Sequence, residues 1–161
     1  MINTTLCYIE RDGKYLLLCR NKKKNDLNEG KWIGVGGKCE PGESPEACVR
    51  RETFEETGLT LGKLHFYGII HFRSDTWEDE EMYLYRGELS AADRAGALPD
   101  CDEGELVWMK KKDLDALPQW EGDRIFHRLL DEEIPFFSLK LVYSGEKLLS
   151  AVLNGKQNLY K

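Results

Sequence analysis

The sequence predicts an α+β fold, with a mixed β-sheet covered by helices in the manner of an α/β/α sandwich. Three observations predict it: β-prone runs recur along the whole length, only a few helical segments interrupt them, and no repeat, low-complexity linker or change of composition divides the chain. With 161 residues, 41% of them apolar, there is material for one ordinary core, and residues 1–161 read as a single domain.

Residues 5–10 and 15–20 are β-prone runs joined through Arg11-Asp12-Gly13-Lys14, which reads as a hairpin around a glycine turn. A polar loop over 21–30 follows. Residues 31–38 combine Trp32, Ile33 and Val35 with Gly34, Gly36 and Gly37, which predicts a strand that bends where backbone approaches something closely. Ser44 then supplies an N-cap hydroxyl, Pro45 suits the first helical position, where no N–H is needed, and Gly58 suits the left-handed residue after the last turn. A helix over 45–57 is expected. Residues 64–74 and 81–89 read as strands flanking a charged loop, and 104–109 as another strand. Helical segments over 111–117 and 121–131 come next. Strands 136–143 and 148–153 close the chain around the turn Ser144-Gly145-Glu146-Lys147.

Composition narrows the function classes. Lys and Arg total 23 against 29 Asp and Glu, a net charge of -6, which argues against binding to nucleic acid polymers or to an anionic membrane. Between Arg20 and Lys38, however, six basic residues face two acidic ones, so a small anionic ligand fits there, although a lysine run is equally a solvated loop. The longest apolar runs, such as 15–19, are far too short for a bilayer, and no basic stretch with an apolar segment opens the sequence. A cytoplasmic location is expected. Cys7, Cys19, Cys39, Cys48 and Cys101 are odd in number and never form C-x-x-C, which suggests reduced thiols rather than disulfides or a zinc site. His65, His71 and His127 show no spacing for zinc or a catalytic triad.

The chemistry concentrates in residues 37–59, GKCEPGESPEACVRRETFEETGL. On the predicted helix Glu52, Glu55 and Glu56 stand at i, i+3 and i+4, so their carboxylates share one face. Like charges at these spacings repel by a few tenths of a kcal/mol per pair, so helix stability alone would favour alternating signs. Arg51, four residues before Glu55, is one cation among four carboxylates when Glu43 is counted. A divalent ion offsets the crowding better. Oxygen ligands without His or Cys suit Mg²⁺ or Mn²⁺, and such an ion lets an anionic substrate approach an acidic site. An E-x-x-E-E cluster by itself also occurs on many solvated helices.

The wider spacing decides more. Gly37, five residues, Glu43, seven residues, then Arg51-Glu52-Thr53-Phe54-Glu55-Glu56-Thr57-Gly58-Leu59 resembles the Nudix box, G-x5-E-x7-R-E-U-x-E-E-x-G-U with U aliphatic. All seven fixed residues are present. Thr53 stands where an aliphatic residue is usual, which places a small polar group on the face to be buried with Val49. The resemblance implies the α/β/α sandwich, with Glu52, Glu55, Glu56 and the Gly37 carbonyl as metal ligands and Arg51 and Glu43 bracing them. Gly58 closes the helix. It also implies water attack on a bridging phosphorus. Nudix enzymes often take a base or a further ligand from a carboxylate outside the box, for which Asp102-Glu103 is the best placed pair. Glu103 is favoured, and a loop acid without a role is the alternative.

Beyond the box the chain resembles the MutT-like branch, and within it the bacterial MutX-type sanitisers that hydrolyse 8-oxo-dGTP. The carrying segments are residues 16–20, 30–38, 102–108 and 119–123, with the terminal Phe136-Phe137 hairpin. In that branch an indole stacks on the purine and an acid close after it reads the base edge, which here implies Trp120 and Asp123. Arg20 and Lys38 become candidate phosphate contacts. Trp32, Trp120, Arg20 and Lys38 retain their simpler readings as core aromatics and surface charges. Ile33 is a departure, since some purine-oxidation sanitisers carry Asn after the equivalent Trp. Two competing functions follow: hydrolysis of another substrate such as dihydroneopterin triphosphate, a dinucleoside polyphosphate or ADP-ribose, and a non-catalytic nucleotide-binding module. The intact box disfavours the latter.

Overall fold

A computed structural model of the protein describes residues 1–22 and 28–159. Part of the predicted polar loop, including Lys23 and Lys24, lies outside the described residues.

Chain order is β1 (Ile2–Arg11), β2 (Lys14–Cys19), β3 (Trp32–Ile33), α1 (Pro45–Thr57), β4 (Leu61–Ser74), β5 (Glu80–Leu89), β6 (Glu105–Lys110), a 3₁₀ helix (Lys111–Ala116), α2 (Glu121–Asp131), β7 (Phe137–Ser144), β8 (Lys147–Leu153) and β9 (Gln157–Asn158). Among the described residues the strands join in one sheet ordered β3-β2-β1-β5-β4-β7-β8-β9, with β6 on the other edge of β2. The sheet is mixed: β1 with β5 and β4 with β7 run parallel, and the remaining pairs are antiparallel.

Alternation along the strands divides the core into two layers. From β1, Leu6 and Tyr8 enter one cluster with Ile125, Phe126, Leu129 and Leu130 of α2, while Cys7 and Ile9 enter another with Val49 of α1. Helices therefore cover both faces, the α/β/α arrangement expected. The four apolar side chains of α2 are each nearly or fully buried, and each contributes about 1.5–3 kcal/mol of apolar transfer.

Two expectations are corrected. Residues 31–38 form no continuous bent strand. Only Trp32 and Ile33 pair with β2; the chain then crosses to β1, with Cys7 and Val35 exchanging backbone hydrogen bonds of 2.7 and 3.1 Å and Thr5 N–H donating to the Gly37 carbonyl at 2.9 Å. The glycines permit this approach, since a Cβ on Gly36 would lie 2.0 Å from the Thr5 carbonyl oxygen. The predicted helix over 111–117 is a 3₁₀ helix, a form suited to a connector this short.

Candidate functional site

Helix α1 begins and ends as its sequence dictates. The Ser44 hydroxyl accepts the Ala47 N–H at 3.1 Å, Pro45 opens the first turn, and Gly58 takes the left-handed conformation with its N–H on the Phe54 carbonyl at 2.8 Å. These stops fix which face of the helix carries the carboxylates. Arg51 then organises three of them. Its Nε and one terminal nitrogen grip Glu43 at 2.7 and 2.9 Å, and the other terminal nitrogen reaches Glu52 at 2.9 Å and Glu55 at 3.0 Å. A further bond to the Lys38 carbonyl at 3.0 Å ties α1 to the glycine-rich segment. The bidentate guanidinium holds the Glu43 carboxyl down at about 2, assisted by the Glu40 N–H.

Glu55 and Glu56 part company. Glu55 turns outward to Arg51 and its side chain is 57% exposed, whereas that of Glu56 is 7% exposed and accepts the Gly36 N–H at 3.0 Å. Glu103, in the loop before β6, joins Glu56 from the opposite side. Arg20, at the edge of β2, lies between them, 2.9 Å from Glu103 and 3.5 Å from Glu56. Burial and then the neighbouring Glu103 push the Glu56 carboxyl up to about 8. Burial also raises Glu52, with Glu55 and Glu103 adding to it while Arg51 opposes.

This donor set fits a hard divalent cation. Every candidate ligand is an oxygen, burial raises the inner carboxylates so that a bound cation would favour their charged form, and a Cβ on Gly37 would lie 2.5 Å from the Glu52 carboxyl, so only glycine leaves that group its place. Among the described residues no three side chains stand ready-formed around one ion. The guanidinium of Arg20 occupies the space between Glu56 and Glu103, and Arg51 draws Glu55 aside, so two arginines neutralise the charge that an ion would. The Gly37 carbonyl already accepts from Thr5 N–H.

Beside this cluster lies a cavity of about 400 Å³, which the cluster's own glutamates do not line. Arg20, Gly37 and Lys38 line it together with Trp120 and Asp123, so four of the predicted substrate contacts share one space. Trp32 does not line it. The Trp120 indole N–H donates to Asn28 at 2.8 Å, and the ring stands edge-on to Tyr143 at 5.4 Å with the Lys31 ammonium 4.5 Å from its centroid. Asp123 is 5% exposed, and burial, then the nearby Glu80, push its carboxyl up to about 8. It holds its proton near neutrality, so the expected acceptor is also a donor. Sequence reading passed over Glu80, Thr4 and Trp77, which line the same cavity. The signal was available for Glu80, which shares the inward-facing alternation of Met82 and Leu84 in β5.

A family model described as NUDIX domain matches residues 2–130. The oxidized purine nucleoside triphosphate hydrolase of Danio rerio is 33% identical over 131 residues, covering 78% of this chain and 77% of that protein. An NAD-capped RNA hydrolase, NudC, of Haemophilus influenzae is 30% identical over 110 residues, and the aligned part makes up only 35% of that longer protein. In structure, the MutT protein of Bacillus halodurans superposes with a TM-score of 0.82 at 25% identity, covering 98% of this chain and 100% of that one.

Proposed function

Because the chain belongs to the NUDIX family of hydrolases, we propose that it is a Mg²⁺-dependent nucleoside triphosphate pyrophosphohydrolase that takes purine dNTPs, 8-oxo-dGTP first, to the monophosphate and pyrophosphate. One observation carries this: Arg20, Gly36 and Lys38, each bonded to the carboxylate cluster or its Arg51, line a single cavity together with Trp120 and Asp123, and its volume is usual for small ligands. A triphosphate at the glycine-rich end then leaves its base at the aromatic end.

Enzymes of this family generally use divalent metals, commonly Mg²⁺, and Mn²⁺ suits the same oxygens. Glu52, Glu56 and Glu103 would hold the ion, with Glu55 and the Gly37 carbonyl as the remaining ligands that the family pattern implies. When bound, it neutralises phosphate charge and makes water a better nucleophile. Glu103 takes the proton of the attacking water as the new oxygen–phosphorus bond forms at one phosphorus of the α–β anhydride. The bond from that phosphorus to the bridging oxygen breaks, giving the monophosphate and pyrophosphate. Glu56, Glu55 and Arg51 keep that constellation in place, Arg51 through the contacts to Glu43, Glu52 and Glu55 described above. Arg20 and Lys38 would bind phosphate oxygens, Arg20 from its place between Glu56 and Glu103. A nucleotide-pool role places the enzyme in the cytoplasm, consistent with five free cysteines.

Trp120 supplies the stacking face, a contribution of about 1–3 kcal/mol per base. Asp123 supplies discrimination through hydrogen bonds. Phosphorus NMR of the products tests the bond cleaved: pyrophosphate is expected, and orthophosphate as first product would reject the assignment. Trp120→Ala is expected to weaken all purine substrates together, and Asp123→Ala to flatten the preference among them. The reverse pattern would reject their roles.

A further inference from the structure

Glu80 is an acid in a place where packing alone calls for an apolar side chain. It opens β5 on the same side of the strand as Met82 and Leu84, both buried, and pairs in register with Ile2 of β1. That side faces the cavity, where Ile33, Phe72 and Met82 give an apolar lining. A carboxyl group set among such neighbours loses hydration and is retained at a cost unless something pairs with it. Thr4 makes one such bond, its hydroxyl donating to Oε2 at 2.5 Å, which leaves the lone pairs of Oε1 for another donor. Lys38 acts on it through space, and among the described residues no ion pair joins them.

The second acid is Asp123, 5% exposed and lining the same cavity. Among the described residues its carboxyl has no hydrogen-bond or ion-pair partner. Glu80 and Asp123 come from separate walls, one from the sheet and one from the first turn of α2, and after burial itself Glu80 works against ionisation of Asp123. Two carboxyl groups left half-satisfied in one small apolar cavity are complementary to a flat ligand with polar edges. With one carboxyl ionised and one protonated, the pair presents both acceptors and a donor. Ile33 lines the same cavity and offers contact only.

We infer that Glu80 is a specificity-determining residue of the base pocket, oriented by Thr4, and that it reads an N–H edge of a guanine-type base while Asp123 meets a second edge. This rests on the proposed reading of the cavity as a purine nucleotide site. Guanine carries adjacent N–H donors at N1 and N2, where adenine has an unprotonated nitrogen at N1, so a carboxylate acceptor separates the two bases. Loss of a hydrogen bond to a charged group corresponds to about tenfold or more in affinity.

Calorimetric titration with 8-oxo-dGMP, dGMP and dAMP, without metal, tests the assignment on binding alone. In Glu80→Gln the two guanine-type nucleotides are expected to bind about tenfold more weakly, with dAMP changed by less than about twofold. Thr4→Val, which removes the orienting hydroxyl, should move the ratio in the same direction by a smaller factor. Thermal denaturation of both variants establishes that they fold. Equal loss for all three nucleotides would reduce Glu80 to a packing residue and overturn the assignment, as would unchanged affinities. Trp120→Ala and Asp123→Ala separate the two levels: affinities unchanged by Trp120→Ala together with a preference unchanged by Asp123→Ala place the base elsewhere and defeat the underlying reading, whereas weaker binding in the first and a flattened preference in the second, with Glu80→Gln silent, defeat Glu80 alone.

Discussion

Arg51 donates hydrogen bonds to Glu43, Glu52, Glu55 and the Lys38 carbonyl at once, which only a planar fork can do. Lysine keeps the charge and loses the geometry. Arg51→Lys is expected to lower kcat/KM about 10- to 100-fold, as usual for groups that orient metal ligands, with little change in secondary structure by circular dichroism. Wild-type kinetics in that variant would remove Arg51 from the machinery. Glu56→Gln removes a buried carboxyl whose ionisation burial and then Glu103 disfavour, so it should remove most activity at saturating Mg²⁺ while the metal-free fold becomes no less stable. Glu103→Gln should lower kcat by about 10²- to 10⁴-fold, more than it weakens nucleotide binding. An unchanged kcat would return Glu103 to an ordinary loop acid. Asp123 gives a pH signature with a definite sign. Its carboxyl ionises near 3.8 in the unfolded chain and near 8 in the fold, so its contribution to stability is fully present below about pH 4 and erodes as pH rises to about 8. The melting temperature of Asp123→Asn should therefore pull ahead of wild type between those limits, and a gap that is constant from pH 5 to pH 8 would contradict the burial of an unpaired acid.

At the scale of elements, α1 was legible because its signals are local. Ser44, Pro45 and Gly58 set both ends within the bounds Pro45–Thr57, and the i, i+3, i+4 glutamates fall where the helical period puts them. What the period could not tell is that Glu55 and Glu56 diverge, since Arg51 and the Gly36 N–H pull them to different sides. Residues 31–38 misled for a physical reason: β-prone residues announce extended backbone, but the glycines let that backbone leave β2 and lie along β1 instead of continuing a strand. Thr53 offers a clean test of packing. It is fully buried against the core under α1, and its hydroxyl oxygen has no hydrogen-bond partner among the described residues. Thr53→Val keeps the shape and removes the unmet polar atom, so the protein should gain about 1 kcal/mol or more in denaturant unfolding. A loss of stability would mean that the hydroxyl has a partner in solution.

Across the whole molecule, the sheet brings together what the sequence keeps apart. Parallel pairing of β1 with β5 sets Thr4 beside Glu80, 76 residues away, and the pairing of β2 with β6 brings Arg20 to Glu103. Alternation in β5 could mark Glu80 as inward-facing, but such long-range register has no local signal, so its place beside Thr4 in the cavity was not legible as the box was. Strand alternation and the two covering helices were readable, but strand order was not. The central claim is that this frame holds a purine deoxynucleoside triphosphate with its phosphates at α1 and its base at Trp120. It is tested most directly by kcat/KM with Mg²⁺ for 8-oxo-dGTP, dGTP, dATP, dCTP and ADP-ribose on the wild-type protein. 8-oxo-dGTP is expected to stand highest, with the other purine triphosphates dGTP and dATP next and dCTP last; ADP-ribose preferred over all four would overturn the purine-triphosphate assignment.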